Sequence, residues 1–114
     1  MEGLDYGLRM MGVAVILKAV EDYRSLIARH NKLVNKPKSD SKKISIYNNN
    51  MKMLEIENFF KSELFGFYCG EQYSGARVID KIKKDAKYIE CPIISNYDYK
   101  VLMARRYRDG GEEE

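Results

Sequence analysis

The chain has no tryptophan, one histidine, two cysteines and two prolines in 114 residues. Each scarcity removes a class of answer. Two cysteines, Cys69 and Cys91, do not make a disulfide framework, and without a secreted-type cysteine pattern both are expected to be reduced thiols in a cytoplasmic setting. A lone His30 with no second histidine and no nearby cysteine gives no metal-ligand spacing, so it reads as a surface or capping histidine. The longest apolar stretch, Met10 to Val20, falls well short of the roughly 18–20 apolar residues that cross a bilayer, and it has no signal-peptide cleavage pattern. Glycine-rich phosphate loops are missing as well, since the run Gly70 to Gly75 fits neither dinucleotide nor P-loop spacing. Carboxylates are plentiful, but Glu21–Asp22 reads as solvated helix surface, and Glu55 and Glu57 flank Ile56 on the edge of a helix. No catalytic constellation, cofactor site or metal site is implied, and the chain is expected not to be an enzyme.

What is present is ordinary for one globular domain: 45% hydrophobic and 32% charged residues, with nine tyrosines. The formal net charge is +3. Setting aside Glu112, Glu113 and Glu114, an acidic tail after Gly110-Gly111, leaves 20 basic against 14 acidic residues, or +6. Such a surface suits nucleic acid or an acidic protein partner.

Hydrophobic spacing predicts an all-α fold: a compact bundle of three long helices plus a shorter C-terminal one, in a single domain over 1–114. Residues 1–7 read as an irregular lead-in, and Gly12 as a weak point near the start of the first helix. Val13, Ile16, Val20, Tyr23, Ile27 and Val34 then mark that helix to Val34. Pro37 breaks the chain within an exposed basic loop at 35–43, where Ser39, Asp40 or Ser41 caps the next helix. This second helix is expected from Lys42 to Tyr68, with Ile44, Tyr47, Met51 and Leu54 as one stripe and Met53, Ile56, Phe60, Leu64 and Phe67 as another. The Asn48–Asn50 run is a candidate kink within it, and Ile-Ser-Ile leaves a short strand at 42–47 as the alternative. The third helix, Ser74 to Tyr88, turns Ala76, Ile79, Ile82, Ala86 and Ile89 inward. Pro92 stops an extended segment at 88–94, and Ser95 with Asp98 forms a capping box for a fourth helix, Asn96 to Tyr107.

Two surfaces carry the functional candidates. Tyr97, Tyr99, Arg105, Arg106, Tyr107 and Arg108 place interface-favoured residue types on the last helix, which marks it as the partner-binding element. Lys36, Lys38, Lys42 and Lys43 in the loop, with Lys81, Lys83, Lys84 and Lys87 on the third helix, form the alternative, a nucleic-acid-binding surface. A helix-turn-helix is not supported, because no short turn leads into a recognition-helix pattern.

The order Ala19-Val-Glu-Asp-Tyr-Arg24, a lysine-rich spacer, Glu55-Ile-Glu-Asn-Phe-Phe-Lys-Ser62, an aromatic pair, a turn, then Val78-Ile-Asp-Lys-Ile-Lys-Lys84 resembles a family of small uncharacterised proteins encoded in phages and prophages of Firmicutes. The resemblance covers about Ala19 to Ala86. The turn Tyr68-Cys-Gly-Glu-Gln-Tyr-Ser-Gly75 departs from that family's more usual Asp-Gly-Glu type, and the segment from Ile89 onward looks like an extension. The resemblance implies a phage accessory protein of the bacterial cytoplasm. Such a protein would act by stoichiometric binding to a host or defence protein, for example as an anti-CRISPR-type inhibitor of a nucleoprotein effector, or in phage gene control. It supplies no catalytic residues.

Overall fold

In the computed structural model, residues 2–69 and 74–108 are described, with side chains from Met11 onward. All regular structure among them is helical: α1 Glu2–Val34, α2 Asp40–Phe60, α3 Glu63–Cys69, α4 Gly75–Asp85 and α5 Asn96–Arg108. The expected turn at 70–73 and the acidic tail at 109–114 lie outside the described residues.

The first break falls where Pro37 puts it. Ser39 is extended (φ −166°, ψ 163°), and its hydroxyl accepts the Lys42 backbone N–H, as the sequence anticipates for a cap. Lys42 then does a second job: its ammonium donates to the carbonyls of Val34 (2.9 Å) and Lys36 (2.8 Å). These are carbonyls that the end of α1 leaves without helical partners, so one side chain ties the two helices together. Residues 42–47 are helical, and the helix runs unbroken through the three asparagines.

Three boundaries differ from the sequence reading. First, α1 starts at Glu2, not after an irregular lead-in. Gly12 has a packing role there: a Cβ on it would come within 2.5 Å of the Tyr68 ring, so glycine lets α3 lie directly on α1.

Second, the helix expected to run to Tyr68 is two helices. Ser62 donates its hydroxyl to Phe59 O (2.6 Å) and accepts the Phe65 N–H (3.4 Å), closing one helix and opening the next. The break shifts the helical phase by a residue. Phe65 is therefore buried, while Leu64 and Phe67 are exposed rather than inward. Gly75 starts α4 against the Phe60 carbonyl, where a Cβ would collide.

Third, α4 stops at Asp85, short of Tyr88. The Tyr88 N–H bonds Lys83 O and the Lys87 N–H bonds Lys84 O, a Schellman pair with Lys87 left-handed (φ 58°).

The core gathers Tyr23 and Ile27 of α1, Met53 and Phe60 of α2, Phe65 of α3, and Ile79 and Ile82 of α4. Phe60 sits edge-on to Tyr23 (6.3 Å) and to Phe65 (5.4 Å). Each such ring pair contributes about 0.5–1.5 kcal/mol beyond burial. Along α2 the buried line is Ile46, Asn49, Met53 and Phe60, with Ile56 packed beside it, whereas Met51 and Leu54 face outward. The expected Ile44–Tyr47–Met51–Leu54 stripe is thus right only at its start.

α2 and α4 cover the second half of α1, and α3 lies against the turn around Gly12. The molecule is elongated, 62 × 26 × 21 Å.

Candidate interaction surface

α5 contributes no buried residue. Stacking, a hydrogen bond and an ion pair are among the contacts that hold it to the first half of α2. Tyr99 stacks on Tyr47 (centroids 4.1 Å apart, 17° between planes), the Tyr47 hydroxyl donates to Asn96 Oδ1 (2.9 Å), and Arg105 pairs with Asp40 at 3.3 Å. The Asp98 N–H bonds Ser95 Oγ (3.1 Å), which is the cap anticipated from the sequence. Of the six expected interface residues, Tyr99 and Arg105 therefore make attachments within the fold. Arg106 is half-buried on the inner side. Tyr97 and Tyr107 are 74% and 77% exposed, and Arg108 is exposed. Tyr97, Val101, Ala104 and Arg108 fall at i, i+4, i+7 and i+11, so they form one outward ridge, flanked by Lys100 and Tyr107.

Beside α5 lies a cleft of about 350 Å³. Ile46 with Cys91, Pro92, Ile93 and Ile94 gives it apolar walls, Lys38, Lys42 and Lys43 complete the lining, and no carboxylate of the described residues lines it. Ser39 positions the lysines by starting α2 there, and the segment after α4 forms the opposite wall. The fold thus brings the loop lysines and the C-terminal arginines, about 60 residues apart, to the same half of α2, because Arg105 is anchored on Asp40. Lys42 points its charge at backbone carbonyls, which leaves Lys38 and Lys43 as the outward cations of the rim, with Lys36 exposed nearby in sequence.

The α4 lysines are partly engaged. Lys81 pairs with Asp85 (3.5 Å); Lys83 lies 3.8 Å from Glu57 and 4.9 Å over the Tyr88 ring; Lys84 and Lys87 are exposed.

Two polar residues that the sequence reading leaves outside the core are buried in it. His30, expected at the surface or as a cap, is fully buried. Its Nε2–H donates to Ile89 O (2.8 Å), and its ring stacks on Tyr88 at 4.6 Å. Beside it, Asn31 donates to Lys87 O (3.1 Å) and accepts the Ile89 N–H (3.0 Å), which docks the segment after α4 onto α1. Asn49 is also buried and donates to Leu26 O (2.9 Å). The signal was present: His30 is three residues from Ile27 and seven from Tyr23, and Asn49 is four from Met53. Residue type overruled the spacing.

Glu57 turns inward to accept the Tyr23 hydroxyl (2.5 Å), while Glu55 is exposed. Burial first, and then this carboxylate, push the Tyr23 hydroxyl far above the ordinary tyrosine value.

Cys69 and Cys91 are not joined in a disulfide, and the Cys69 thiol donates to Phe65 O (3.2 Å). Among the described residues no three His, Cys, Asp or Glu side chains gather as metal ligands, and no helix is long and apolar enough to cross a membrane. No family model, curated protein or solved structure matches this chain.

Proposed function

We propose that this is a phage- or prophage-type accessory protein that works without catalysis, by stoichiometric binding to a host or defence protein such as a CRISPR nuclease effector. The observation that carries the reading is α5: a helix with no buried residue that presents Tyr97, Val101 and Arg108 outward beside a lysine-rimmed apolar cleft. Exposed tyrosine and arginine next to an apolar recess are the residue types that anchor protein interfaces. The positive rim and the arginines favour an acidic surface on the partner. The resemblance to phage proteins supplies the setting, and the bacterial cytoplasm is the expected location.

The experiment is affinity capture from the host followed by titration of the captured protein. Wild type should bind it saturably at a fixed ratio. A Tyr97→Ala/Tyr107→Ala/Arg108→Glu variant should lose that binding while keeping its helical circular dichroism. Retained binding by a folded variant rejects the α5 surface.

The competing reading, a nucleic-acid-binding phage regulator using Lys36, Lys38, Lys42, Lys43, Lys81, Lys83, Lys84 and Lys87, is favoured by the three lysines that line the cleft. It requires purified protein to shift DNA or RNA alone, with affinity falling steeply as salt rises. No shift at low salt rejects it.

A further inference from the structure

The segment between α4 and α5 leaves its backbone unpaired where it lines the cleft. The N–H groups of Cys91, Ile93 and Ile94 donate to no group of the described residues. Backbone groups without an internal partner form an edge on which an extended peptide can pair its own backbone. Beside that edge, Ile46, Pro92, Ile93 and Ile94 wall a recess of about 350 Å³. That is at the lower end of the range for ligand pockets, and it suits one large apolar side chain better than a cofactor.

The lysines of the lining divide between fold and surface. The Lys42 ammonium is held by the carbonyls of Val34 and Lys36. Lys38 and Lys43 are exposed and make no ion pair with the described residues. Asp40, which stands between them in sequence, is taken up by Arg105. Two uncompensated cations at an apolar recess are complementary to carboxylates that flank an apolar side chain. None of the described lining residues is aromatic, so the cleft offers no ring on which a nucleic-acid base would stack.

We propose that the cleft receives an extended acidic segment of the protein partner. One aliphatic or aromatic side chain of that segment packs against Ile46, Ile93 and Ile94, the flanking carboxylates pair with Lys38 and Lys43, and its backbone runs along residues 91–94. This occupant rests on the proposed function in requiring a protein partner, and it does not depend on the α5 ridge.

Amide chemical-shift titration of the full chain tests it, with an acetylated and amidated pentapeptide that carries leucine between two pairs of glutamates as the probe. Expected are saturable shifts at the Lys43, Ile93 and Ile94 amides. Serine in place of the leucine should weaken binding about tenfold or more, and lysines in place of the glutamates should abolish it. Lys38→Glu/Lys43→Glu, two changes at exposed positions that spare Lys42, should weaken binding about tenfold or more with helical circular dichroism unchanged. The absence of saturable shifts at these amides overturns the proposal, and so does binding that ignores either the leucine or the two lysines. A single-stranded oligonucleotide that shifts the same amides more strongly than the peptide would assign the cleft to nucleic acid instead. If the amides move without peptide, on dilution or on Glu112→Gln/Glu113→Gln/Glu114→Gln, the occupant is a second copy or the chain's own acidic run, and the proposal falls. Peptide binding in the cleft with no host protein captured would uphold the cleft's chemistry and reject the proposed function. Capture of a host protein that Lys38→Glu/Lys43→Glu leaves intact would do the reverse.

Discussion

The two halves of α1 are one continuous helix with comparable apolar content, yet opposite fates. In the second half Tyr23 and Ile27 are fully buried, and the far side is charged. In the first half, over Met11–Leu17, Leu17 and Met11 are mostly exposed, and no position of that run is charged or polar. The second half is covered by α2, by α4 and by the Tyr88–Ile89 segment that grips His30 and Asn31; the first has α3 at Gly12. An apolar residue is therefore a folding residue only where chain from elsewhere arrives to cover it.

The largest effect that distinguishes the two halves is truncation of a core ring. Phe60→Ala should lower unfolding free energy by about 3–5 kcal/mol, because it empties the space between Tyr23 and Phe65. Leu17→Ala, measured by the same urea denaturation, should change it by less than about 0.5 kcal/mol, because Leu17 is mostly exposed. Equal losses would mean that the first half is packed within the monomer after all, and the contrast would collapse.

Next in size is Tyr23→Phe, which keeps the ring and removes the bond to Glu57. A hydrogen bond to a charged partner contributes about 1.5–3 kcal/mol. Its pH signature comes from the raised hydroxyl pKa, caused by burial and then by Glu57. The folded state holds this proton more tightly than the unfolded chain does, so the stabilisation is fully present below the ordinary value of 10.0 and is lost as pH rises beyond it. Wild type should lose urea resistance above pH 10 more steeply than Tyr23→Phe. The variant keeps some slope, because burial also raises Tyr88. Parallel pH profiles would place the Tyr23 hydroxyl outside the core.

Much of the second half was legible in the sequence. Tyr23, Ile27, Met53, Phe60, Ile79 and Ile82 stand at helical spacing, and Pro37, Ser39 and Ser95 announce their boundaries by local chemistry that tertiary contacts do not override. The phase shift at Ser62 was not legible, because serine in mid-pattern reads as a polar face until its hydroxyl is seen bridging Phe59 and Phe65. His30 and Asn49 were missed for a related reason: burial of a polar side chain depends on a carbonyl from another element, Ile89 or Leu26, that spacing cannot locate. On the surface, the sequence grouped the basic residues correctly along the chain. It did not show that Tyr99 and Arg105 attach α5 while Tyr97, Tyr107 and Arg108 face outward, since that division depends on where α5 meets α2.

The first half of α1 offers a smaller, two-signed test. Alanine favours helix over glycine by about 1 kcal/mol, so Gly12→Ala should stabilise an isolated helix. Here the new methyl meets the Tyr68 ring, and overpacking costs about 1–3 kcal/mol, so the net change should be a loss of about 1 kcal/mol or more. Combining Gly12→Ala with Tyr68→Ala should restore the helix gain relative to Tyr68→Ala alone, a positive coupling on a double-mutant cycle. A stabilising single Gly12→Ala would separate α3 from α1.

The smallest effect lies where the second half is closed. Lys87 is the left-handed residue of the Schellman turn that delivers Tyr88 and Ile89 to His30. A side chain at left-handed φ costs about 1–2 kcal/mol, and glycine avoids this while giving back about 0.5–1 kcal/mol in unfolded-state entropy. Lys87→Gly should therefore stabilise the protein by about 0.5–1 kcal/mol. The gain should appear as slower hydrogen exchange at the Tyr88 and Ile89 amides, which bond Lys83 O and Asn31 Oδ1. Exchange in the first half of α1 should not respond, because nothing from this turn reaches it. If amides near Val13 or Val15 slowed equally, the two halves would be one cooperative unit, and the contrast between a covered and an uncovered half of α1 would not extend to their stability.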